Sequence, residues 1–209
     1  KIKNILISCL KKIKSFFPWY RNLYRGKAWY TKTLIGIASC IVAFIVYLGM
    51  VDINFLWLFG KSPGFYTIMN PETHEASEIY SADGVLIGKY FNENRTPVAY
   101  EDVNPVFWKA LIDTEDERFY SHHGIDYTGL VGAVKDAVMH HDARGASTIT
   151  QQLAKNMFRV RTDYSTGLLG KIPGVRMLIM KSKEWIIATK LEITHSKKEI
   201  ITMYANTVD

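Results

Sequence analysis

From Thr33 to Val51 the chain runs through 19 residues without a charge, including Leu34-Ile35-Gly36-Ile37 and Cys40 to Leu48. At ~1.5 Å per residue, ~20 such residues cross the hydrocarbon core of a bilayer. The pattern predicts a membrane span; the alternative is the buried helix of a soluble protein. Before it, Ile5, Leu6, Leu10, Ile13, Phe16 and Phe17 are interleaved with lysines. Residues 1–32 therefore read either as a basic interfacial helix or as a loosely ordered tail. Residues 60–71 read as a linker. Ile79-Tyr80, the turn Ser81-Ala82-Asp83-Gly84 and the β-prone run Val85 to Phe91 predict a small hairpin, within an extended stretch from Glu78 to Tyr100.

After Asn104 the period becomes helical. Asn104 is placed to cap, Pro105 suits a first turn, and Val106, Phe107, Ala110, Leu111 and Thr114 recur at helical spacing. Further helices are predicted at Leu130–Met139, Thr148–Phe158 and Lys183–Ile193, and from Ser196 through Tyr204. Thr148 with Gln151, and Ser196 with Glu199, have capping-box spacing. The expectation is a mainly α chain with a small β-hairpin region and one N-terminal transmembrane helix. Its divisions are a basic arm (1–32), an anchor (33–59), a linker with the hairpin (60–103) and an α domain (104–209).

Charge sharpens this division. The net charge of +6 averages two unlike parts: of 26 basic residues, nine lie in residues 1–51, which hold no acid, leaving 17 against 20 acids in the rest, a net of −3. A basic arm before a span predicts a cytoplasmic N-terminus and an outward-facing remainder. Trp29, Tyr30 and Trp57 suit the two interfaces. The arm's partner is then an anionic lipid surface and not nucleic acid, which calls for a basic face on the folded domain. The basic region is too long, and a small-residue cleavage site too indistinct, for a cleaved signal peptide. Cys9 lies in the arm and Cys40 in the span, so neither can staple the outer domain.

Two segments carry candidate chemistry. Glu115-Asp116 is a carboxylate pair at a helix end, close to Phe119, His122 and His123. A carboxylate there can accept a proton from an attacking hydroxyl, and alone it would read as an ordinary helix-end acid. The second segment, Gly145 to Asn156, opens a helix with small and hydroxyl residues (Ser147, Thr148), then offers Gln151, Gln152 and Lys155. Free amides, hydroxyls and a cation at a helix start suit an anion; the bland alternative is a well-capped surface helix. His122 with His123 invites a metal reading, but adjacent histidines on a tight turn rarely share an ion, and a hydrogen-bonding His122 is favoured. His140-His141-Asp142 reads as a solvated loop.

In order and spacing these segments resemble the peptidoglycan glycosyltransferases of family 51, found alone or as the N-terminal catalytic part of class A penicillin-binding proteins. The family pattern E-D-x-x-F-x-x-H-x-G is met by Glu115, Asp116, Phe119, His122 and Gly124. The pattern G-x-S-T-I-T-Q-Q-x-x-K-N is met by Gly145, Ser147 through Gln152, Lys155 and Asn156. The resemblance covers about Ala76 to Asp209 and implies a lysozyme-like α domain that polymerises lipid II. Glu115 would be the general base toward the 4-hydroxyl of its GlcNAc. The electrophile would be the anomeric carbon of a growing lipid-linked glycan, inverted to a β-1,4 link as a lipid diphosphate leaves. Asp116, Phe119, His122, Gly145, Ser147, Thr148, Gln151, Gln152, Lys155, Asn156 and Lys181 carry over as substrate-binding positions. The implied setting is the bacterial inner membrane, with the catalytic domain in the periplasm.

A third motif, usually R-K-x-x-E, stands here as Met180-Lys181-Ser182-Lys183-Glu184. Lys181 carries over as a diphosphate contact and Glu184 as the second catalytic acid, orienting the donor or a divalent cation (Mg2+ or Mn2+). Met180 cannot replace a two-pronged arginine, and Lys183 or Arg176 would have to compensate. The apolar, Gly- and Pro-interrupted stretch from Gly167 to Met180 either dips into the bilayer or packs on the core; its length resembles class A proteins of Bacteroidetes. The family's Y-L-N appears as Tyr204-Ala205-Asn206, a change that would leave a cavity costing about 2–5 kcal/mol if buried. The family continues with an aromatic-Gly segment and further helices beyond the position of Asp209, so the domain is expected to be incomplete at its C-terminus. Two rival readings follow: a membrane scaffold that binds lipid-linked precursor without catalysis, and a lytic glycosidase.

Overall fold

The computed structural model describes residues 2–71, 77–90, 97–140, 145–162 and 165–208. They fall into two compact units, 1–49 and 50–209. The first holds α1 (Ile2–Tyr24) and most of α2 (Trp29–Asp52), joined at a turn where Gly26 takes a φ of +75°. Within this unit the Tyr20 hydroxyl donates to Ser39 Oγ at 3.1 Å. The helical alternative for the basic arm is the one found, although the side chains of residues 1–10 and 13 lie outside the description. α2 has 24 residues, ~36 Å at helical rise, and is the one helix among the described residues long and apolar enough to cross a membrane. Ile37, Ile41, Val42, Ile45 and Val46 are exposed along it, as suits a helix whose solvent is lipid.

The second unit begins at the end of α2. A 3-10 turn (Phe55–Trp57) and α3 (Phe65–Met69) lead to β1 (Ser77–Tyr80) and β2 (Leu86–Tyr90), an antiparallel pair with Glu78 opposite Lys89 and an irregularity after Ile79. The hairpin is therefore as expected up to Tyr90; Phe91, and residues 72–76 of the linker, lie outside the described residues. Then come α4 (Pro105–Glu115), α5 (Tyr127–His140), α6 (Ile149–Met157), α7 (Pro173–Thr194) and α8 (Lys197–Thr207). The chain is mainly α with one small sheet.

α6 lies against both α7 and α8, and α3 packs on α7. The core forms where Ile149, Leu153 and Ala154 of α6 meet Ile187 and Leu191 of α7 and Ile200, Ile201 and Tyr204 of α8. These spacings of three and four keep one helix face apolar. Trp108 and Ile112 bring α4 onto the same core, with Trp108 stacked on Tyr100 at 4.9 Å. Asn104 caps α4 at the Val106 amide, as expected from Pro105 at the first turn. Ser196 and Glu199 complete the expected capping box of α8.

Two local expectations need correction. Thr148 caps α6 by accepting from the Gln151 amide at 3.2 Å, but Gln151 does not return the bond: its Nε2 goes to Gly124 O at 3.0 Å. The fourth helix starts at Pro173 and not at Lys183. The Gly and Pro that look like breaks precede it or occupy its first turn, where neither interrupts a helical hydrogen bond.

A close crossing of two loops completes the unit. Gly60 and Gly167 both have positive φ, and a Cβ on Gly167 would lie 2.2 Å from the Gly60 nitrogen. Lys183 fastens this crossing from below: its Nζ donates to the carbonyls of Gly60 (2.9 Å), Lys61 (2.6 Å) and Ser165 (2.5 Å). The residue is 1% exposed, and burial lowers its pKa from 10.5 to about 8. Leu168, Ile172, Met177 and Leu178 nearby remain exposed.

Candidate active site

The first motif folds back on itself at the C-terminal end of α4. Glu115 is the last residue of that helix and is exposed; Asp116, the next, points inward and is 8% exposed. The two neighbours thus divide into a surface carboxylate and a buried one. Asp116 accepts from His122 Nε2 at 3.0 Å and from the Ile149 amide at 3.0 Å. It places a negative charge at the N-terminus of α6, where the helix dipole favours one. His122 is buried, and its Nδ1 has no hydrogen-bond partner among the described residues. With Nε2 facing a carboxylate, the proton belongs on Nε2, and the histidine is a brace for Asp116.

Phe119 is fully buried, 4.3 Å below the Lys197 ammonium. Gly124 closes the motif with a φ of +85°, and a Cβ there would come 2.9 Å from the Ala188 carbonyl of α7. Its own carbonyl receives two donors, Thr148 Oγ1 at 2.8 Å and Gln151 Nε2 at 3.0 Å. The first and second motifs are therefore sewn together by buried hydrogen bonds. Phe119, Thr148 and Gln151, expected to touch substrate, are buried among protein partners and build the wall of the site.

The same bonds correct the expected anion cradle. The amides of Ile149 and Gln151 already serve Asp116 and Thr148, so they are not free for a ligand. What remains positive lies to one side. Lys181, from α7, reaches Ser147 Oγ at 2.9 Å and Glu184 Oε2 at 2.8 Å. Arg161 meets the other oxygen of Glu184 at 2.9 Å. Glu184 is 1% exposed, whereas Lys181 and Arg161 are 36% and 48% exposed in their side chains. A buried carboxylate thus holds two cations with their outer faces open, a net charge of +1 beside Ser147. This arrangement can receive an anion.

Arg161 was not found from the sequence. It lies in no regular element and in none of the quoted patterns. It stands beside Glu184, whereas Lys183, one of the two residues expected to compensate for Met180, has its ammonium engaged by three carbonyls. Lys155 and Asn156, on α6, are half-buried, and Gly145 is exposed. The loop His140-His141-Asp142 lies outside the described residues, apart from the His140 backbone.

Glu115 itself has one hydrogen-bond partner among the described residues. Gln152 Nε2 donates to its Oε2 at 2.8 Å, and Gln152 Oε1 in turn accepts from the Tyr204 hydroxyl at 3.1 Å. Glu115 Oε1 is unbonded among the described residues. A divalent cation fits poorly: no group of three acidic, His or Cys residues is gathered among the described residues, and both oxygens of Glu184 already face cations.

Residues 83–209, more than half of the chain, match the model of a family described as Transglycosylase. The chain is 33% identical to Penicillin-binding protein 1A of Escherichia coli (strain K12) over 180 residues, which is 86% of this chain and 19% of that protein. It is 38% identical to Penicillin-binding protein 1A of Haemophilus influenzae over 144 residues, 68% of this chain and 15% of the relative. With Penicillin-binding protein 1F of Bacillus subtilis the identity is 34% over 173 residues, 81% and 21% of the two chains. The chain thus spans about a fifth of the length of the curated relatives it matches.

Proposed function

The chain belongs to the transglycosylase family, and from that premise we propose that it is a peptidoglycan glycosyltransferase that extends lipid-linked glycan with lipid II. The observation that carries this reading is the contrast between the two carboxylates. Glu115 is exposed and has one oxygen unbonded among the described residues, whereas Glu184 is buried and organises cations.

Glu115 is the general base. It takes the proton of the lipid II 4-hydroxyl as that oxygen attacks the anomeric carbon of the growing glycan. The new bond forms as the anomeric C–O bond to the diphosphate breaks, and the electron pair leaves with the diphosphate. Attack from the opposite face turns the α-diphosphate into a β-1,4 link. Lys181 and Arg161 receive the developing negative charge, and Ser147 adds a hydroxyl donor. Lys155 supplies a further cation on α6. Glu184 moves no proton, because each of its oxygens faces a cation. A Mg2+ or Mn2+ ion at Glu184 would have to displace one of these cations, and no step here depends on it.

The substrate and the product both carry lipid tails. α2 anchors the chain in the bacterial inner membrane, with the basic arm in the cytoplasm and residues after the span in the periplasm. The exposed apolar side chains of Leu168, Ile172, Met177 and Leu178 suit a surface beside the bilayer.

The test uses detergent-solubilised chain with labelled lipid II, beside Glu115→Gln, with products resolved on a gel. A ladder of glycan polymers is expected, and Glu115→Gln should reduce its rate by about 10²–10⁴-fold. Binding of lipid II with no ladder would leave a binding scaffold. Release of soluble muropeptides from sacculi would instead make the chain a lytic glycosidase.

A further inference from the structure

We propose that Tyr204, on α8, is a positioning residue for Glu115: acting through Gln152, it holds in place the amide that faces the carboxylate. The inference rests on the reading of Glu115 as the base. An amide side chain has two ends of similar shape and opposite hydrogen-bonding character. Gln152 has one partner at each end, Glu115 at 2.8 Å and Tyr204 at 3.1 Å. An ionised carboxylate only accepts, so Nε2 must face it. The Tyr204 hydroxyl then donates to Oε1, and the amide has no reason to turn.

Tyr204 is well held for this task. Its side chain joins the buried core, α8 lies against α6, and Asn206 bonds both the N–H and the carbonyl of Val98 at 3.0 Å. Burial raises the phenol above its ordinary pKa, and the charge of Glu115 raises it further, so the hydroxyl keeps its proton at neutral pH.

The arrangement also follows the proton. With Glu115 ionised, the amide commits Oε2 and leaves Oε1 open to an incoming hydroxyl. Once Glu115 is protonated, the amide can turn its carbonyl to the new O–H. The Tyr204 hydroxyl, donor and acceptor both, then accepts from Nε2. Neither state leaves an amide end unpaired. Without the hydroxyl, the carboxylate alone holds the amide, and the orientation that favours the proton-accepting form is held less firmly.

The test compares the full chain in detergent with Tyr204→Phe, Gln152→Ala and the double variant, using labelled lipid II. Tyr204→Phe should lower kcat about three- to tenfold, the weight of one neutral hydrogen bond, with KM unchanged. In the Gln152→Ala background the same change should cost less than about twofold, because the residues act in series. An equal cost in both backgrounds, or a change in KM alone, overturns the proposal. A second readout does not need turnover: the side-chain amide resonances of Gln152 should shift in Tyr204→Phe. Unmoved resonances also overturn it. Shifted resonances in a wild-type chain that makes no polymer would uphold the contact and remove the reading of Glu115 as the base.

Discussion

Glu115 ends α4 in solvent, held by a hydrogen bond from Gln152, whereas Glu184 sits within α7 at 1% exposure with a cation on each oxygen. The two carboxylates have the same chemistry and opposite surroundings. One is exposed and lightly held; the other is fixed as the negative centre of a positive cluster. A side chain's surroundings thus assign it a role that its identity does not.

The sharpest way to break this comparison is to neutralise each carboxylate in turn and follow unfolding as well as turnover. Glu184→Gln should lose activity and also about 1–3 kcal/mol of stability, because Lys181 and Arg161 would be left facing each other without their acid. Glu115→Gln should lose activity alone, with stability within about 0.5 kcal/mol of wild type. Urea unfolding curves decide it; equal stability for both variants would mean that Glu184 does not organise the cluster.

A smaller effect is expected at the cations. Arg161→Ala should weaken turnover of lipid-linked donor about tenfold, and Arg161→Lys should recover only part, since a point charge replaces a planar fork. Steady-state kinetics at two salt concentrations would show it. Full recovery by lysine would reduce Arg161 to a source of charge.

The smallest effect concerns the lysine beneath the loop crossing. The folded-state pKa of Lys183 is about 8, below its ordinary 10.5. Between these values the unfolded chain holds the proton that the folded chain has released. This group therefore adds stability as pH rises from about 8 toward 10.5, the reverse of a lysine whose pKa is raised on folding. Melting temperatures of wild type and Lys183→Met over that range should diverge in favour of wild type as pH rises. Parallel curves would show that the ammonium is not buried in solution.

Much of this was legible along the chain. The uncharged run before Asp52, the Asp-Gly hairpin, the Asn104 cap and the Ser196–Glu199 box all depend on neighbours within a few residues. They appear where local pattern places them. The start of α7 was misread because Gly and Pro break a helix interior but are tolerated in its first turn. Ala205 was expected to threaten the core, but it is only half-buried, so the full cavity cost does not apply.

The sequence by itself determined most of the elements, the family and the pair Glu115-Asp116, because periodicity, capping and motif spacing are properties of nearby residues. Only the tertiary structure decided that Asp116 turns inward to hold α6 and that the α6 amides are already taken. It also decided that Lys183 serves loop carbonyls, while Arg161 joins Glu184 from 23 residues away. Hydrogen bonds and ion pairs act over about 3 Å of space. Which distant residues come that close is fixed when α6, α7 and α8 bury their apolar faces against one another.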